Sequence, residues 1–434
     1  MDGIVREDGP SSANQSRKKK SLRWWQIAGP GLVSGAADDD PSGIATFASV
    51  GAQFGTQLVW TSLFTWPLMA AVQMMCARIG MVTGQGLTAV LQQKFPRWLV
   101  NGAVALLCLA NVANIAADLA GMADAVQLVG GGASAAWIWI FGLGICALAV
   151  RLRYRTLARL LMGLSFALLA YVACALMTRP AWGEVLGHTV MPSLPPGRAG
   201  WQAIVALLGT TISPFLFFWQ AGQEVEEEKA QGRKSLSQRQ GATPDEIRRR
   251  RIDVTLGTLV SNIVMFFIIV TAAQTLRGLA DPAAMTTNDA AMALKPLAGE
   301  YAPWIYAAGL IGTGLLALPT LAGSAAYAVA EACGWRCGLD LPFNRAKSFY
   351  GVFVVATLAG ALINLLHVNP LRALVWSAML NGVLAPPLLL AVFLVARDAK
   401  LMRGQPSSLM TRSVVLTACV VMSLSVVALC LPGK

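Results

Sequence analysis

Apolar stretches of about 18 residues or more recur along nearly the whole chain, separated by short polar gaps. Each is long enough to cross a hydrocarbon core about 30 Å thick at about 1.5 Å of helix per residue. Eleven spans are predicted, over roughly residues 24–52, 56–80, 98–127, 134–150, 156–177, 202–228, 252–275, 302–332, 348–366, 370–396 and 413–431. The one long polar interruption, residues 229–251, reads as a solvated, partly flexible loop between the sixth and seventh. The gaps near residues 179–200 and 277–301 carry Pro, Gly and Asp and read as connectors with one interfacial helix each.

Two spans differ from the rest because a helix-breaking cluster sits near mid-length. In the first it is Asp38-Asp39-Asp40-Pro41-Ser42-Gly43, and in the sixth Thr210-Thr211-Ile212-Ser213-Pro214. From Ile27 to Ala37 is about 15 Å of helix and from Gln202 to Ser213 about 16 Å, so both clusters fall near the bilayer midplane. Proline removes a backbone donor and disfavours helix in the residue before it, which frees carbonyls that lipid cannot satisfy. Breaks in the first and sixth spans predict two inverted five-helix repeats. The expected fold class is an all-α membrane protein: a basic tail over residues 1–23, a first repeat over 24–178, a second over 201–396, and an added eleventh helix over 411–432.

Composition agrees. The 434 residues are 56% hydrophobic and only 13% charged, which excludes ordinary soluble domains. A net charge of +12 raises the question of nucleic acid, but the basic residues are sorted by loop. If successive loops alternate sides, one side holds 28 of the 34 Lys and Arg, including Lys18 to Lys20 and Arg248 to Arg251. The other holds Arg179, Arg198, Arg277, Lys295, Arg372 and Lys434. This is the positive-inside bias, so the expectation is no nucleic-acid partner, a cytoplasmic N-terminus and, with eleven spans, a C-terminus outside. The first 23 residues hold no apolar leader with a cleavage site, so no signal peptide is expected. Most of the eight cysteines lie in or at the ends of apolar spans without metal-ligand spacing and read as packing.

An aspartate at the membrane centre costs several kcal/mol unless it meets water or a positive charge. No Lys or Arg is predicted at that depth, so a cation from solution is the natural partner of Asp40. Half-helices ending near Ala37 and Thr210 turn their negative ends to the same point. Three consecutive aspartates project about 100° apart on a helix and cannot share one site. Asp40, beside Pro41, is the expected ligand, with Asp39 on the approach and Asp38 behind it. Further along, Gln220, Glu224 and Glu227 share one helical face about 15 Å past Pro214, where they either gather cations at the mouth or simply end a solvated helix. Asn111, Asn114 and Asp118 share a face of the third span, and Asp118 reads as cavity-lining or helix-pairing. No nucleophile with a histidine base and no phosphate-binding loop is present, so an enzyme is not expected and no cofactor is implied.

These motifs resemble the Nramp family of divalent-metal transporters, whose members have the leucine-transporter fold. The matching runs are Asp40-Pro41-Ser42-Gly43, Gly29-Pro30-Gly31, the segment from Ala77 to Gly84, Ala117-Asp118-Leu119-Ala120, and Asn369-Pro370 with Arg372-Ala373-Leu374, together covering about residues 24–396. The resemblance implies ion binding by Asp40 with oxygens at Ala37, Gly43, Thr210 and Ser213, and Asn381 as a supporting amide. The departures matter as much. Gly43 stands where the family has an asparagine ligand, and Ser213 where it has a methionine. Loss of soft sulfur points to a harder ion, and Mg²⁺ takes oxygen ligands while keeping much of its water. The run from Thr210 to Glu228 looks like the Nramp-related magnesium branch. Gln220 and Gly121 replace the family's proton-handling histidine and glutamate. The implied function is alternating-access transport of Mg²⁺, with Mn²⁺ accepted, without proton coupling. The transported metal and membrane lipids are the expected partners of a monomer in a bacterial inner membrane. The alternative is a proton-coupled Mn²⁺/Fe²⁺ symporter with Asp118 as carrier.

Overall fold

The computed structural model describes residues 30–151, 166–277, 285–366 and 369–431, and no strand occurs among them. The basic tail assigned to residues 1–23, the start of spans one and five, and His367 lie outside the described residues. The principal helices are α1 (Pro30–Asp38), α2 (Pro41–Phe54), α3 (Trp60–Thr83), α4 (Leu87–Lys94), α5 (Arg97–Gly130), α6 (Ser134–Arg151), α7 (Leu169–Met177), α8 (Trp182–Val190), α9 (Arg198–Thr211), α10 (Pro214–Ala230), α11 (Pro244–Thr275), α12 (Thr287–Met292), α13 (Ala302–Ala332), α14 (Lys347–Ile363), α15 (Pro370–Ala396) and α16 (Leu409–Cys430).

Seven described spans, counting α9 with α10 as one, are long and apolar enough to cross a membrane. The other four predicted spans fall short for identifiable reasons. The first is split into α1 and α2. The second, α3, passes only together with α4, which is bent from it by 80°. The fifth is described only from residue 166 onward, and the ninth, α14, has 17 residues. One expectation about loops changes. The connectors carry short helices, α8 in the first and α12 in the second, but the polar stretch 229–251 is not loop throughout. Thr243 caps α11 through a capping box with Glu246, and Pro244 occupies the first helical turn, so α11 begins well before the apolar run.

Both predicted breaks are present. Helix α1 stops at Asp38 and α2 restarts at Pro41, while α9 stops at Thr211 and α10 restarts at Pro214. In both cases proline takes the N-terminal position of the restarted helix, where its missing N–H is no loss. The two broken spans occupy the middle of the bundle. Helices α1 and α2 lie along α11, α9 lies on α15, α10 on α3, and α5 and α13 pack together behind them. Glycine permits these close approaches. A Cβ on Gly35 would stand 2.4 Å from the Gly257 carbonyl oxygen, and one on Gly209 would stand 2.0 Å from that of Ala378.

Candidate cation site at the helix breaks

Asp40 is 2% exposed and caps the N-terminus of α2. Its Oδ1 accepts from the Ser42 hydroxyl and from the Gly43 amide, each at 2.7 Å. The two bonds share Oδ1, which leaves the second carboxylate oxygen outside the cap. Gly43 brings the breaks together: a Cβ there would lie 3.1 Å from Thr210 Oγ1 and 3.4 Å from the Asp38 carbonyl oxygen. Thus Asp40, Gly43 and Thr210 converge, with the carbonyl end of α1 beside them. Ser213 sits at the α9–α10 break, where its hydroxyl donates to the carbonyls of Gly209 (2.8 Å) and Thr210 (3.0 Å). Ala37 is fully buried at the end of α1.

Asp118, on α5, is fully buried and close enough to act electrostatically on Asp40. Its two carboxylate oxygens are buried without a side-chain partner, and the Ser42 amide is the backbone donor turned toward them. Thr210 Oγ1, Thr46 Oγ1, both side-chain atoms of Asn114, and Asn381 Nδ2 are likewise buried without a partner. Buried polar atoms in native proteins are nearly always bonded to protein, water or an ion, so the orphaned Thr210 and Asp118 oxygens beside Asp40 mark a place built to be wet or charged. Among the described residues no three His, Cys, Asp or Glu side chains converge as a metal cluster, so an ion here depends on hydroxyl and carbonyl oxygens as well as carboxylate. A thioether does stand close by: Met122 Sδ packs over Gly314 next to the Pro41 ring.

The rest of the predicted set separates. The face holding Asn111, Asn114 and Asp118 divides in use, because Asn111 Nδ2 bonds the Leu321 carbonyl (3.0 Å) and Ser324 Oγ (2.6 Å), bolting α5 to α13. Asp38 and Asp39 share one donor, Ser261 Oγ on α11, at 3.2 and 2.9 Å. A hydroxyl has one proton, so it satisfies one of the two carboxylates at a time. Ser261 carried no motif in the sequence and emerges only from packing.

Glu224 and Glu227 do not form an open acidic mouth. Glu224 is 2% exposed, and both pair with Arg250 of α11, the Glu224 contact at 2.7 Å. Arg250 also holds Asp253 at 2.6 Å, and Asp253 accepts the Gly31 amide at 2.8 Å. On the other side Gln220 donates to Glu224 at 2.7 Å and accepts from Ser34 Oγ at 2.6 Å. The chain of contacts Ser34–Gln220–Glu224–Arg250–Asp253–Gly31 ties α1, α10 and α11 into one closed end. Their neighbours Glu226 and Glu228 pair with Lys229 and Arg233. The Arg248–Arg251 run read as topology alone; that Arg250 turns inward follows from helical phase once α11 is known to start at Pro244. At the opposite end a cavity of about 300 Å³ opens between α2, α9 and α15, with Thr46, one turn beyond Gly43, in its wall.

A family profile described as "Natural resistance-associated macrophage protein-like" matches residues 31–432. The chain belongs to the Nramp family. Among curated Nramp relatives, the divalent metal cation transporter MntH of Klebsiella pneumoniae subsp. pneumoniae is 26% identical over 397 residues, covering 90% of this chain and 89% of the relative. MntH of Acidiphilium cryptum is 29% identical over 388 residues, covering 84% and 81%. The Eremococcus coleocola manganese transporter superposes with a TM-score of 0.72 at 16% identity, over 95% of this chain and 88% of that one. Mhp1, a nucleobase-cation-symport-1 family transporter, gives a TM-score of 0.57 at 14% identity, over 93% and 92%. These likenesses establish the leucine-transporter-like architecture, and Nramp membership places the chain among integral membrane transporters rather than enzymes.

Proposed function

We propose that this Nramp protein carries Mg²⁺, with Mn²⁺ accepted, across the bacterial inner membrane as a monomer, by alternating access and without proton coupling. The observation that carries this is the convergence of Asp40, Gly43, the Asp38 carbonyl and the buried, unpartnered Thr210 hydroxyl at the meeting of the two breaks. In this reading Asp40, the Thr210 hydroxyl and the carbonyls at Ala37 and Thr210 hold the ion. Gly43 leaves room for its retained water, and Asn381 orients that water. Ser213 contributes oxygen where the resemblance leads one to expect sulfur, which favours a hard ion. The end rich in Lys and Arg is cytoplasmic. In this reading the Arg250 network closes that end and the cavity beside Thr46 lies on the outer side of the site, which supports an outward-facing state. Membrane potential suffices as the driving force: two charges across 100 mV are worth about 4.6 kcal/mol, a gradient of roughly 10³.

A second reading, proton-coupled Mn²⁺/Fe²⁺ symport, is favoured by Asp118, a second buried carboxylate beside Asp40. The deciding experiment is uptake of Mg²⁺ and Mn²⁺ into proteoliposomes with an internal pH dye. Entry of both ions at constant pH, abolished by Asp40→Ala, supports the first reading. Entry of Mn²⁺ alone with acidification establishes the second.

A further inference from the structure

Away from the helix breaks, at the basic end of the bundle, a cavity of about 550 Å³ lies between the end of α3, the first turns of α11 and the loop joining α15 to α16. Arg78, Arg248 and Arg251 line it, and no carboxylate does. Arg412 stands close enough that its charge, like that of Arg251, acts on Arg78. Three guanidinium groups in one wall without a carboxylate, and a fourth beside Arg78, repel one another, and arginine is the side chain best shaped to bind phosphate oxygens in pairs.

The guanidinium groups are also positioned. Arg78 Nε donates to the Gln405 carbonyl at 3.1 Å, and Arg412 Nε to the Ser407 carbonyl at 2.6 Å, which fixes the planes of both forks. The loop that supplies those carbonyls is clamped in turn: Gln405 accepts from the Ala242 amide at 3.1 Å and donates to its carbonyl at 3.2 Å. Arg248 and Arg251 are three residues apart on α11 and so present on one face, both exposed. By contrast Arg250, between them, is buried in the closed-end network.

We infer that this arginine cavity is a binding site for a phosphate-bearing anion, distinct from the ion pathway. The ligand chemistry is a phosphate or diphosphate group, which either a soluble polyphosphate or an anionic lipid headgroup can supply. A bound anion bridges α3, α11 and the α15–α16 loop, and so braces the helix that carries Arg250.

The test uses the full chain in phosphatidylcholine nanodiscs, titrated with pyrophosphate by calorimetry without divalent metal. In parallel, retention of phosphatidylglycerol over phosphatidylcholine is read by native mass spectrometry. Arg248→Glu and Arg251→Glu, singly and together, remove exposed lining residues, and Arg249→Glu, also exposed but outside the cavity wall, is the charge control matched to each single variant. Pyrophosphate binding that weakens at least about tenfold in the double variant, falls with added salt and survives Arg249→Glu supports a soluble ligand. No pyrophosphate binding, but selective phosphatidylglycerol retention lost in the lining variants and not in Arg249→Glu, assigns the site to a lipid headgroup. Absence of both, or a loss in Arg249→Glu equal to that in the single lining variants, overturns the inference.

Discussion

Arg250→Met is the sharpest perturbation of the closed end. Arg250 is the shared partner of Glu224, Glu227 and Asp253, and the Glu224 and Asp253 side chains are 2% and 5% exposed. Methionine keeps the apolar stem but takes the guanidinium away from the buried Glu224 carboxylate and from Asp253. Removing one partner of a buried ion pair costs about 3–5 kcal/mol, because the remaining charge has been stripped of water. That cost falls on the closed end only, since parting α1 from α10 and α11 would hydrate both carboxylates. At 1.4 kcal/mol per tenfold, even about 3 kcal/mol moves the balance toward the state open at the basic end by roughly 10². The assay is labelling of Ser34→Cys, a fully buried position in the network, by a membrane-impermeant thiol reagent from the basic side. The exposed Cys333 and Cys430 are first replaced. Labelling should accelerate by at least tenfold in Arg250→Met, and less in Arg250→Lys, which keeps the charge but not the fork. A folded Arg250→Met protein whose Ser34→Cys reacts at the parent rate would refute the claim that these contacts hold the end shut.

Ser213→Met should restore a soft ligand at the second break and shift the Cd²⁺ to Mg²⁺ affinity ratio at least tenfold toward Cd²⁺, read by calorimetry on each ion. Gly209→Val places side-chain atoms where the Ala378 carbonyl and Gly382 now sit, so α9 and α15 must separate. A loss of about 1–3 kcal/mol or more should appear as a lower melting temperature and a broadened size-exclusion peak. Burial first, and the nearby Glu331 carboxylate second, push the Cys337 thiol up to about 12. Because a raised thiol pKa lowers the thiolate fraction, Cys337 should react with maleimide at pH 7.5 roughly 10³-fold more slowly than a free thiol of pKa about 8.5, with the rate still rising about tenfold per pH unit above pH 9, where the free thiol levels off.

Both helix breaks could be read from the chain alone, because they depend on local chemistry: proline cannot continue a hydrogen-bonded turn, and apolar length measured from either end fixes depth. Asp40, Gly43 and Thr210 were legible for the same reason, as residues at those breaks. What the sequence could not show is where carboxylates find their partners. Asp39 read as lining the approach and Asp38 as lying behind it, but their shared donor, Ser261 of α11, appears only once the helices are packed. Glu224 and Glu227 read as either a cation-gathering mouth or the end of a solvated helix until the capped start of α11 set the helical phase that turns Arg250 inward and leaves Arg248 and Arg251 facing a separate cavity. Turn chemistry and span length are properties of neighbouring residues, so the sequence by itself determined the membrane-spanning character and the positions of the breaks. Contacts between helices such as Arg250–Glu224 and Ser261–Asp39, 26 and 222 positions apart in the chain, depend on rotation about each helix axis, where one residue changes the direction by about 100°, and only tertiary packing decides that angle.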